Sequence, residues 1–584
     1  MAPYQYRKLD VAADEIRLAS LLPGTFDDPI RLNICNVPVA HLKQPHSRRS
    51  PLSEIQDSLP HDWDALETLE GRVLFESPEN ISDFTSWTHP DRHYPIENYD
   101  ESYEIEANQN QPIYEALSYN WGSAADTEIA TVEDLPSQIS TLSIGQNLAI
   151  ALRYLRHSNN PRTLWIDAIC INQEDLRERS NQVVRMGDIY QLASRVIIWL
   201  GPAADDSGIA LSKLQFLGKQ VEYTRRRRFV PSPGCQEPDW FSSNYELPYT
   251  QEDWNAIYHL TSRSWFERLW VLQEAQLARS TSVVKCGQDE IPWRLFRRAI
   301  LCLNNKKVGP PKNLRPRLKV VATGCKFLRG MTLGELLLAA TGRKCRDPRD
   351  KIYGTLNIAP DQFASRIHPD YTISTLDLYR ETFMMHTSLT HRLSLLQQCN
   401  KRDESWPSWV PNWSESVIFN STINVGFCAS GVSSSFLIAS TSNSIKVVGL
   451  ALSTISSTRT PMLDTIAKVI MYLQSLGIKK LQETEYPGGG TSLDAYLHTF
   501  TIGTLKDRMP WRRDPTLKEW RDKVINYESV SDGAGNSISF TRFENDIINR
   551  ISKQAILKTD DGHIGLGSNS IQSGRDPTFV ALSP

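Results

Sequence analysis

The chain lacks the features that mark several common classes of protein. Its nine cysteines are odd in number, scattered and never spaced as CxxC, so neither a zinc site nor a disulfide framework is predicted. No stretch approaches twenty consecutive apolar residues, and the N-terminus carries early charges, so neither a membrane span nor a secretory signal is predicted. The sequence therefore predicts a soluble, cytoplasmic protein with reduced thiols.

Charge and glycine patterns exclude further classes. The formal net charge of −3 gives no overall attraction to nucleic acid or to an anionic membrane. The basic run Arg225–Arg228 has no aromatic platform beside it, so we interpret it as a solvated loop rather than a nucleic-acid patch. Gly122, Gly201 and Gly208 form neither GxGxxG nor GxxxxGK[ST], so neither a dinucleotide fingerprint nor a P-loop is predicted.

The size of the chain indicates several domains. With 584 residues it is too long for one ordinary core, and 40% hydrophobic with 22% charged residues is typical of a globular protein. Shifts in composition predict four regions: an N-terminal strand and surface insertion at 1–112, an α/β domain at 114–290, a helical extension at 291–365, and a mixed, β-rich C-terminal region at 366–584.

The most informative stretch is 162–201, which reads as a complete strand–loop–helix–strand unit. Short apolar runs at 164–166 and 196–200 predict two buried strands. Between them Val183, Met186 and Tyr190 recur at helical spacing, which predicts an amphipathic helix. Two such strands joined by a helix indicate a parallel crossover, and ligands bind beyond the carboxyl ends of parallel strands.

Asp167 follows the first of these strands and therefore lies at the predicted ligand-binding edge. Two interpretations stay open: a ligand-binding carboxylate, or a cap that bonds the backbone of residues 169–173. Cys170, in the same loop, has no basic neighbour that would lower its pKa, so a Cys–His nucleophile is not predicted.

Trp270 and Glu274 are four residues apart in a segment, 263–274, that propensity and periodicity predict to be helical. On a helix they share a face, and an indole beside a carboxylate would remove its hydration and raise its pKa. Such groups are common in active sites. The alternative is that Glu274 is exposed or salt-bridged to Arg268 or Arg279.

Five successive blocks of the sequence resemble the fungal heterokaryon incompatibility (HET) domain. They are 114–122 (YEALSYNWG), 164–173 (LWIDAICINQ), 178–183 (ERSNQV), 186–190 (MGDIY) and 268–274 (RLWVLQE). The resemblance implies a role in allorecognition between fungal cells and in programmed cell death on incompatible fusion. Self-association and an incompatibility partner protein are the partners it implies.

The HET family is in turn distantly similar to the Toll/interleukin-receptor (TIR) domain. This similarity implies a TIR-like, flavodoxin-like parallel sheet with helices on both faces, followed by a helical segment and a mixed, β-containing C-terminal region. The Trp270-x-x-x-Glu274 motif resembles a TIR motif whose glutamate is catalytic in NAD-cleaving enzymes.

The resemblance assigns roles to six residues. It implies a catalytic Glu274, and an NAD⁺-binding set that consists of Ser118, Trp121, Gly122, Asp167 and Trp270. NAD⁺ would be a substrate, so no cofactor and no metal are expected. The alternative is a non-enzymatic module that acts by self-association or partner recruitment; an enzyme of other chemistry is a third reading that no motif supports.

Overall fold

The computed structural model describes residues 1–39, 49–77, 85–99, 112–135, 138–399, 406–415, 437–440, 444–447, 453–507, 515–526, 547–548, 551 and 554–568. The chain divides into two compact units: residues 1–382 with 413–416, and residues 383–412 with 417–584. None of the helices in the described ranges combines the length and the apolar character that a membrane crossing needs.

The first unit contains both strands and helices. Its strands are β1 (Ala2–Pro3), β2 (Glu15–Leu21), β3 (Arg31–Pro38), β4 (Asp64–Glu67), β5 (Val73–Glu76), β6 (Thr85–Ser86), β7 (Glu115–Ser118), β8 (Thr127–Leu135), β9 (Gln138–Gly145), β10 (Arg162–Trp165), β11 (Arg195–Trp199), β12 (Val221–Tyr223), β13 (Phe229–Pro231), β14 (Val283–Cys286) and β15 (Asp289–Pro292). Its helices are α1 (Leu52–Asp57), α2 (Gln146–Leu155), α3 (Asp167–Cys170), α4 (Leu176–Leu192), α5 (Ser207–Gln220), α6 (Gln251–Thr261), α7 (Val271–Gln276), α8 (Trp293–Asn305), α9 (Leu314–Cys325), α10 (Leu333–Thr341), α11 (Asp350–Tyr353) and α12 (Asp361–Ala364), with α13 (Thr375–Thr390) beginning there.

A ten-stranded sheet organises this unit, in the order β1-β9-β8-β3-β2-β10-β7-β11-β14-β15. Four adjacent strands of this sheet, β10, β7, β11 and β14, are mutually parallel. Along the chain they are the second, first, third and fourth parallel strands, which is the order of flavodoxin-like sheets. In such sheets the strand order reverses between the first and third strands, so the carboxyl ends of β7 and β11 mark the expected ligand-binding crevice.

The predicted strand–loop–helix–strand unit is confirmed as β10, α4 and β11. The two strands are parallel, as expected, but they lie on opposite sides of β7 rather than side by side. Helix α4 begins after Asp175, whose side chain accepts hydrogen bonds from the N–H groups of Arg177 and Glu178 and so caps the helix. The apolar stripe of the helix, Val183, Met186 and Tyr190, is buried.

The predicted helix over 263–274 is wrong in its first half. Residues Ser264–Glu267 form one turn of 3₁₀-helix, Arg268 is extended, and α7 begins only at Val271. The reason is a tertiary pairing: the N–H of Leu269 donates to the carbonyl of Lys344 (2.9 Å), and the N–H of Lys344 donates to that of Glu267 (2.6 Å). These bonds draw the backbone out of the helical conformation that its side-chain pattern favours.

The surface insertion predicted between 41 and 112 forms a small core of its own in its described parts. Helix α1 packs with the antiparallel sheet β4-β5-β6. Buried side chains from the helix, the sheet and the following segment meet there: Ile55, Ala65, Val73, Phe75 and Tyr99. A backbone bridge between Thr68 and Thr224 joins this element to the turn between β12 and β13.

The second unit is mixed in secondary structure. Its elements are β16 (Leu437–Ser440), β17 (Ile445–Val447), β18 (Ile455–Arg459), α14 (Ile466–Ser475), α15 (Ile478–Glu483), α16 (Ser492–Thr501), α17 (Leu517–Ile525), β19 (Gln554–Thr559) and β20 (Ile564–Ser568). The antiparallel strands β18, β19 and β20 form one sheet. Helices α14, α16 and α17 bury a core that includes Leu473, Phe500 and Trp520, so this unit has the apolar interior of an independent fold.

Gly218 permits the close packing of α5 against α8. A Cβ at this position would overlap the carbonyl oxygen of Leu295, a backbone atom that cannot turn aside. We expect Gly218→Ala to lower the free energy of unfolding by about 1–3 kcal/mol, the usual cost of overpacking. Urea denaturation checks this, with Gly342→Ala as the control because its Cβ would meet nothing within 4 Å. Equal denaturation midpoints for the two variants would contradict the packing argument.

Candidate functional site

A buried serine–glutamate pair lies at the carboxyl end of β7. Ser118 is the last residue of that strand, and its hydroxyl donates a hydrogen bond to Oε2 of Glu274 on α7. The same hydroxyl accepts a hydrogen bond from the indole Nε1 of Trp265 (2.8 Å). Ser118 and Glu274 are each 1% exposed. The strand end, the 3₁₀ turn and α7 thus meet at one buried carboxyl group, at the sheet edge where the strand order predicts a ligand-binding crevice.

The electrostatic state of Glu274 is set mainly by its burial. Burial raises its pKa to about 7, against the nearby Arg268 and the hydrogen bond from Ser118, which lower it, while Asp167 raises it further. The closest guanidinium nitrogen of Arg268 is 3.9 Å from Oε2 and also donates to the carbonyl of Tyr119. Among the described residues, Oε1 of Glu274 is buried and has no hydrogen-bond partner. Both protonation states are therefore accessible at neutral pH.

Asp167 lies next to this pair, directly after β10. Its two carboxylate oxygens accept from the indole Nε1 of Trp121 at 3.1 and 2.9 Å, and one of them accepts from the N–H of Ala168 (2.8 Å). In the described structure these bonds do not reach the N–H groups of residues 169–173, the partners expected of a cap. Burial raises the pKa of Asp167, while Arg268 and the bond from Trp121 lower it.

Trp121 and Gly122 form the turn that follows β7. Gly122 has a φ of +78°, a conformation that favours glycine, and it lets the chain leave the sheet at once. Trp121 remains 37% exposed even though its indole N–H is bonded to Asp167. Of the six candidate residues, it is therefore the one whose aromatic ring is most clearly presented to solvent.

Trp270 is hydrogen-bonded to a second buried carboxylate, that of Asp350. Its indole Nε1 donates to Oδ2 of Asp350 (3.3 Å), whose other oxygen accepts from the hydroxyl of Tyr371 (2.7 Å). Burial raises the pKa of Asp350 to about 6. The indole whose N–H is linked to Glu274 through a hydroxyl is that of Trp265, and the assignment of Trp270 to the NAD⁺-binding set stays a prediction.

Sequence reasoning missed Trp265 and Asp350 as members of this region. In the predicted continuous helix, Trp265 is nine residues before Glu274 and would lie on the opposite face. Asp350 belongs to the segment 347–354 (DPRDKIYG), which lies outside the five blocks that carry the resemblance. The interpretation of Arg268 as an ionic neighbour of Glu274, by contrast, is confirmed.

Comparisons with known proteins agree with this assignment of the domain. The family model described as heterokaryon incompatibility protein (HET) matches residues 114–274. This span begins just before β7, which ends at Ser118, and ends at Glu274. Heterokaryon incompatibility protein 6, OR allele, of Neurospora crassa is 29% identical over 388 residues, which is 55% of this chain and 56% of that protein. The chain thus spans little more than half the length of this curated relative, and no solved structure matches it. Residues 114–274 are therefore a HET domain, in a chain that is similar to a fungal heterokaryon incompatibility protein.

Proposed function

We propose that this protein acts in heterokaryon incompatibility, and that its HET domain triggers cell death by hydrolysing NAD⁺ at Glu274. The name of the Neurospora relative and the domain itself support the biological role. The observation that supports the chemistry is the buried carboxyl of Glu274, with a pKa of about 7 and one unbonded oxygen, at the switch point within the parallel part of the sheet.

The main requirement of this reaction is a carboxylate held close to C1′ of the ribose. When the bond between C1′ of the ribose and the nicotinamide nitrogen breaks, nicotinamide leaves with the bonding electrons as a neutral molecule. The ribose becomes oxocarbenium-like, and a carboxylate below C1′ stabilises that charge or traps it covalently before water attacks C1′ and releases a proton. Ser118, which holds Oε2, would leave Oε1 of Glu274 free for this role.

NAD⁺ would also need contacts that hold its ribose and base. Asp167 offers carboxylate oxygens suited to ribose hydroxyls once the indole of Trp121 releases them. The exposed ring of Trp121 offers a stacking surface for a base. Binding would thus begin by moving Trp121 away from Asp167, and a further rearrangement would have to expose Glu274.

The near-complete burial of Glu274 favours a second candidate, a non-enzymatic module that acts by self-association or partner recruitment. With 1% of the residue exposed, substrate reaches Glu274 only after such a rearrangement. In this alternative the Ser118–Glu274–Trp265 series is an internal brace, and toxicity depends on the surface of the domain. The two candidates differ in whether a conservative change at Glu274 abolishes killing.

The test is release of nicotinamide from NAD⁺ by the purified full chain at high protein concentration, compared with Glu274→Gln. Glu267→Gln is the matched control, because Glu267 lies in the same segment but pairs with Arg317 and Lys344 outside the site. We expect release by the wild type and by the control, and none above background by Glu274→Gln, with all three proteins folded. No release by the wild type, while both it and Glu274→Gln still kill cells on expression, would refute the enzymatic proposal and leave the association module.

A further inference from the structure

A cleft in the first unit, separate from the Ser118–Glu274 pair, carries an uncompensated positive charge. Its volume is about 160 Å³. It is lined by basic, aromatic, aliphatic and small residues and by one carboxylate: Leu69, Tyr223, Arg225, Arg227, Lys326, Phe327, Gly330, Met331 and Glu335. The cleft is smaller than the usual site of a drug-sized molecule, so it suits one compact group of a ligand.

Two of the cations that line the cleft lack a counterion. Neither the side chain of Arg227 nor that of Lys326 has an ion pair or hydrogen bond with any residue that the structure describes. Burial lowers the pKa of Lys326, and the charged groups that act on it next are Arg227 and Lys319, both cations that lower it further. A half-buried ammonium beside like charges is unfavourable unless an anion joins it.

The remaining charges around the cleft do not cancel this excess. Arg225 pairs with Glu67 (2.5 Å), but Glu67 is shared with Arg49 (3.1 Å), so two cations meet one carboxylate. The carboxylate of Glu335 accepts from the N–H and the hydroxyl of Thr332 at the start of α10, a capping role. It is not among the groups that act on Lys326.

The backbone on both sides of the cleft is fixed before any ligand arrives. Arg227 has a φ of +64°, strained for a residue with a side chain, and is held by hydrogen bonds across its turn between Thr224 and Arg228. On the opposite side, the amide of Gln276 donates to the carbonyls of Gly324 (2.9 Å) and Lys326 (2.8 Å) and accepts from the N–H of Leu328 (3.0 Å). Only the side chains of the two cations therefore remain to be ordered on binding.

An aromatic surface accompanies the charges. The guanidinium of Arg225 lies 4.6 Å from the ring centre of Phe327, which fixes both side chains. Tyr223 is buried, and its ring packs against that of Phe229 at 4.5 Å. Apolar and aromatic walls beside two cations that lack a counterion are suited to a phosphate that is attached to an organic group.

We propose that this cleft binds the phosphate group of a small organic phosphate ester, with Arg227 and Lys326 as the anion-binding residues. The ligand's phosphate enters between the two cations, and its organic part contacts Phe327 and Met331 at the mouth. This site is independent of the NAD⁺ chemistry proposed for Glu274. Because Gln276 lies two residues after Glu274 on α7, a bound ligand would nevertheless contact a segment that α7 holds directly.

The test measures binding by the full chain of two probes, inorganic phosphate and adenosine monophosphate, by calorimetry and thermal shift at constant ionic strength. Lys326→Met removes one cation while it keeps an unbranched side chain that is only one atom shorter. Arg227→Gly removes the other and relieves the positive φ, so neither variant is expected to unfold the protein. Arg226→Ala is the control, since Arg226 belongs to the same turn, is exposed and does not line the cleft.

We expect saturable binding of adenosine monophosphate, weaker binding of inorganic phosphate, and a loss of at least about tenfold in affinity for each cleft variant. Arg226→Ala should bind like the wild type. In the absence of ligand, Lys326→Met and Arg227→Gly should melt no lower than the wild type. The proposal is overturned if neither probe binds saturably, or if Arg226→Ala weakens binding as much as the two cleft variants do.

Discussion

Replacing Glu274 with Gln is expected to stabilise the first unit relative to the wild type by about 3 kcal/mol at pH 8, and to change its stability little at pH 4.5. A carboxyl whose pKa rises from 4.5 to about 7 on folding binds a proton more tightly in the folded state. Each unit of such a shift corresponds to about 1.4 kcal/mol, which gives the expected total.

The sign follows from proton linkage. Because the folded-state pKa of Glu274 lies above its unfolded value, its favourable contribution is fully present below about pH 4.5 and is lost as the pH rises through about 7. Glutamine resembles the protonated acid in shape, accepts the same hydrogen bond from Ser118 and never ionises. The stability of the variant should therefore lack this part of the pH dependence.

Urea denaturation of the two proteins between pH 4.5 and pH 8 checks the prediction, with the transition of the first unit followed by its tryptophan fluorescence. Glu267→Gln supplies a control of opposite sign, since its ion pairs with Lys344 and Arg317 lower the pKa of Glu267. That variant should lose stability relative to the wild type above the unfolded pKa. A constant difference between Glu274→Gln and the wild type at every pH would show that Glu274 is not held largely neutral in the folded protein.

The expected destabilising effect of the Glu274 carboxylate at neutral pH is relevant to function. Buried ionisable groups that oppose folding are concentrated at sites where their chemistry is used. If Glu274→Gln is more stable and also releases no nicotinamide, the stability lost through Glu274 is explained by its role in catalysis. If it is more stable and still kills cells, the carboxyl is not required for killing, and the association module gains support.

The local parts of this fold were accessible from the sequence. The apolar runs around residues 165 and 198 and the helix between them follow from periodicity alone, and Asp167 falls at the strand end where they place it. The pairing of Ser118 with Glu274 joins residues 156 apart and leaves no local signal. Only the resemblance to the HET and TIR families brought these two residues into one predicted site.

Long-range contacts also explain where the sequence predictions differ from the structure. The segment after Arg263 has a helical pattern of apolar residues, but its pairing with Lys344 unwinds it and turns Trp265 toward Ser118. The basic run Arg225–Arg228 was interpreted as a solvated loop. In the structure three of its members are exposed but form ion pairs with carboxylates of β4 and β5, namely Glu67, Asp64 and Glu76. The fourth, Arg227, has no ion pair with any residue that the structure describes, and it lines the cleft together with Arg225.

Replacing Arg17 with Met is expected to lower the free energy of unfolding by about 3–5 kcal/mol. Arg17 lies on β2, is 0% exposed, and pairs with both oxygens of Glu178 at 2.5 and 2.9 Å. It also donates to the carbonyls of Cys170 (3.2 Å) and Arg7. Methionine would fill the space but leave the nearly buried carboxylate of Glu178 without its cation.

Urea denaturation at neutral pH measures the loss, with Arg31→Met as the matched control. Arg31 lies on the neighbouring strand β3, and its pair with Glu133 is longer (3.4 Å) and exposed, so about 1 kcal/mol or less is expected. The double variant Arg17→Met, Glu178→Gln should recover part of the loss, because no unpaired charge remains buried. If Arg17→Met costs no more than Arg31→Met, the buried pair does not stabilise the domain.

The position of Arg17 also determines which residues the HET domain needs in order to fold. Glu178, which Arg17 holds, accepts from the N–H of Asn172 (2.7 Å), so the loop after Asp167 is fixed from β2. Strand β2 pairs with β10 through residues Leu21, Ser20 and Ala19, which places the N-terminal strands inside the same sheet. The family match begins at residue 114, yet a fragment cut there would expose the edge of β10 and leave Glu178 unpaired. Such a fragment should therefore be less stable than the full chain, because it lacks both the pairing of β2 with β10 and the cation that binds Glu178.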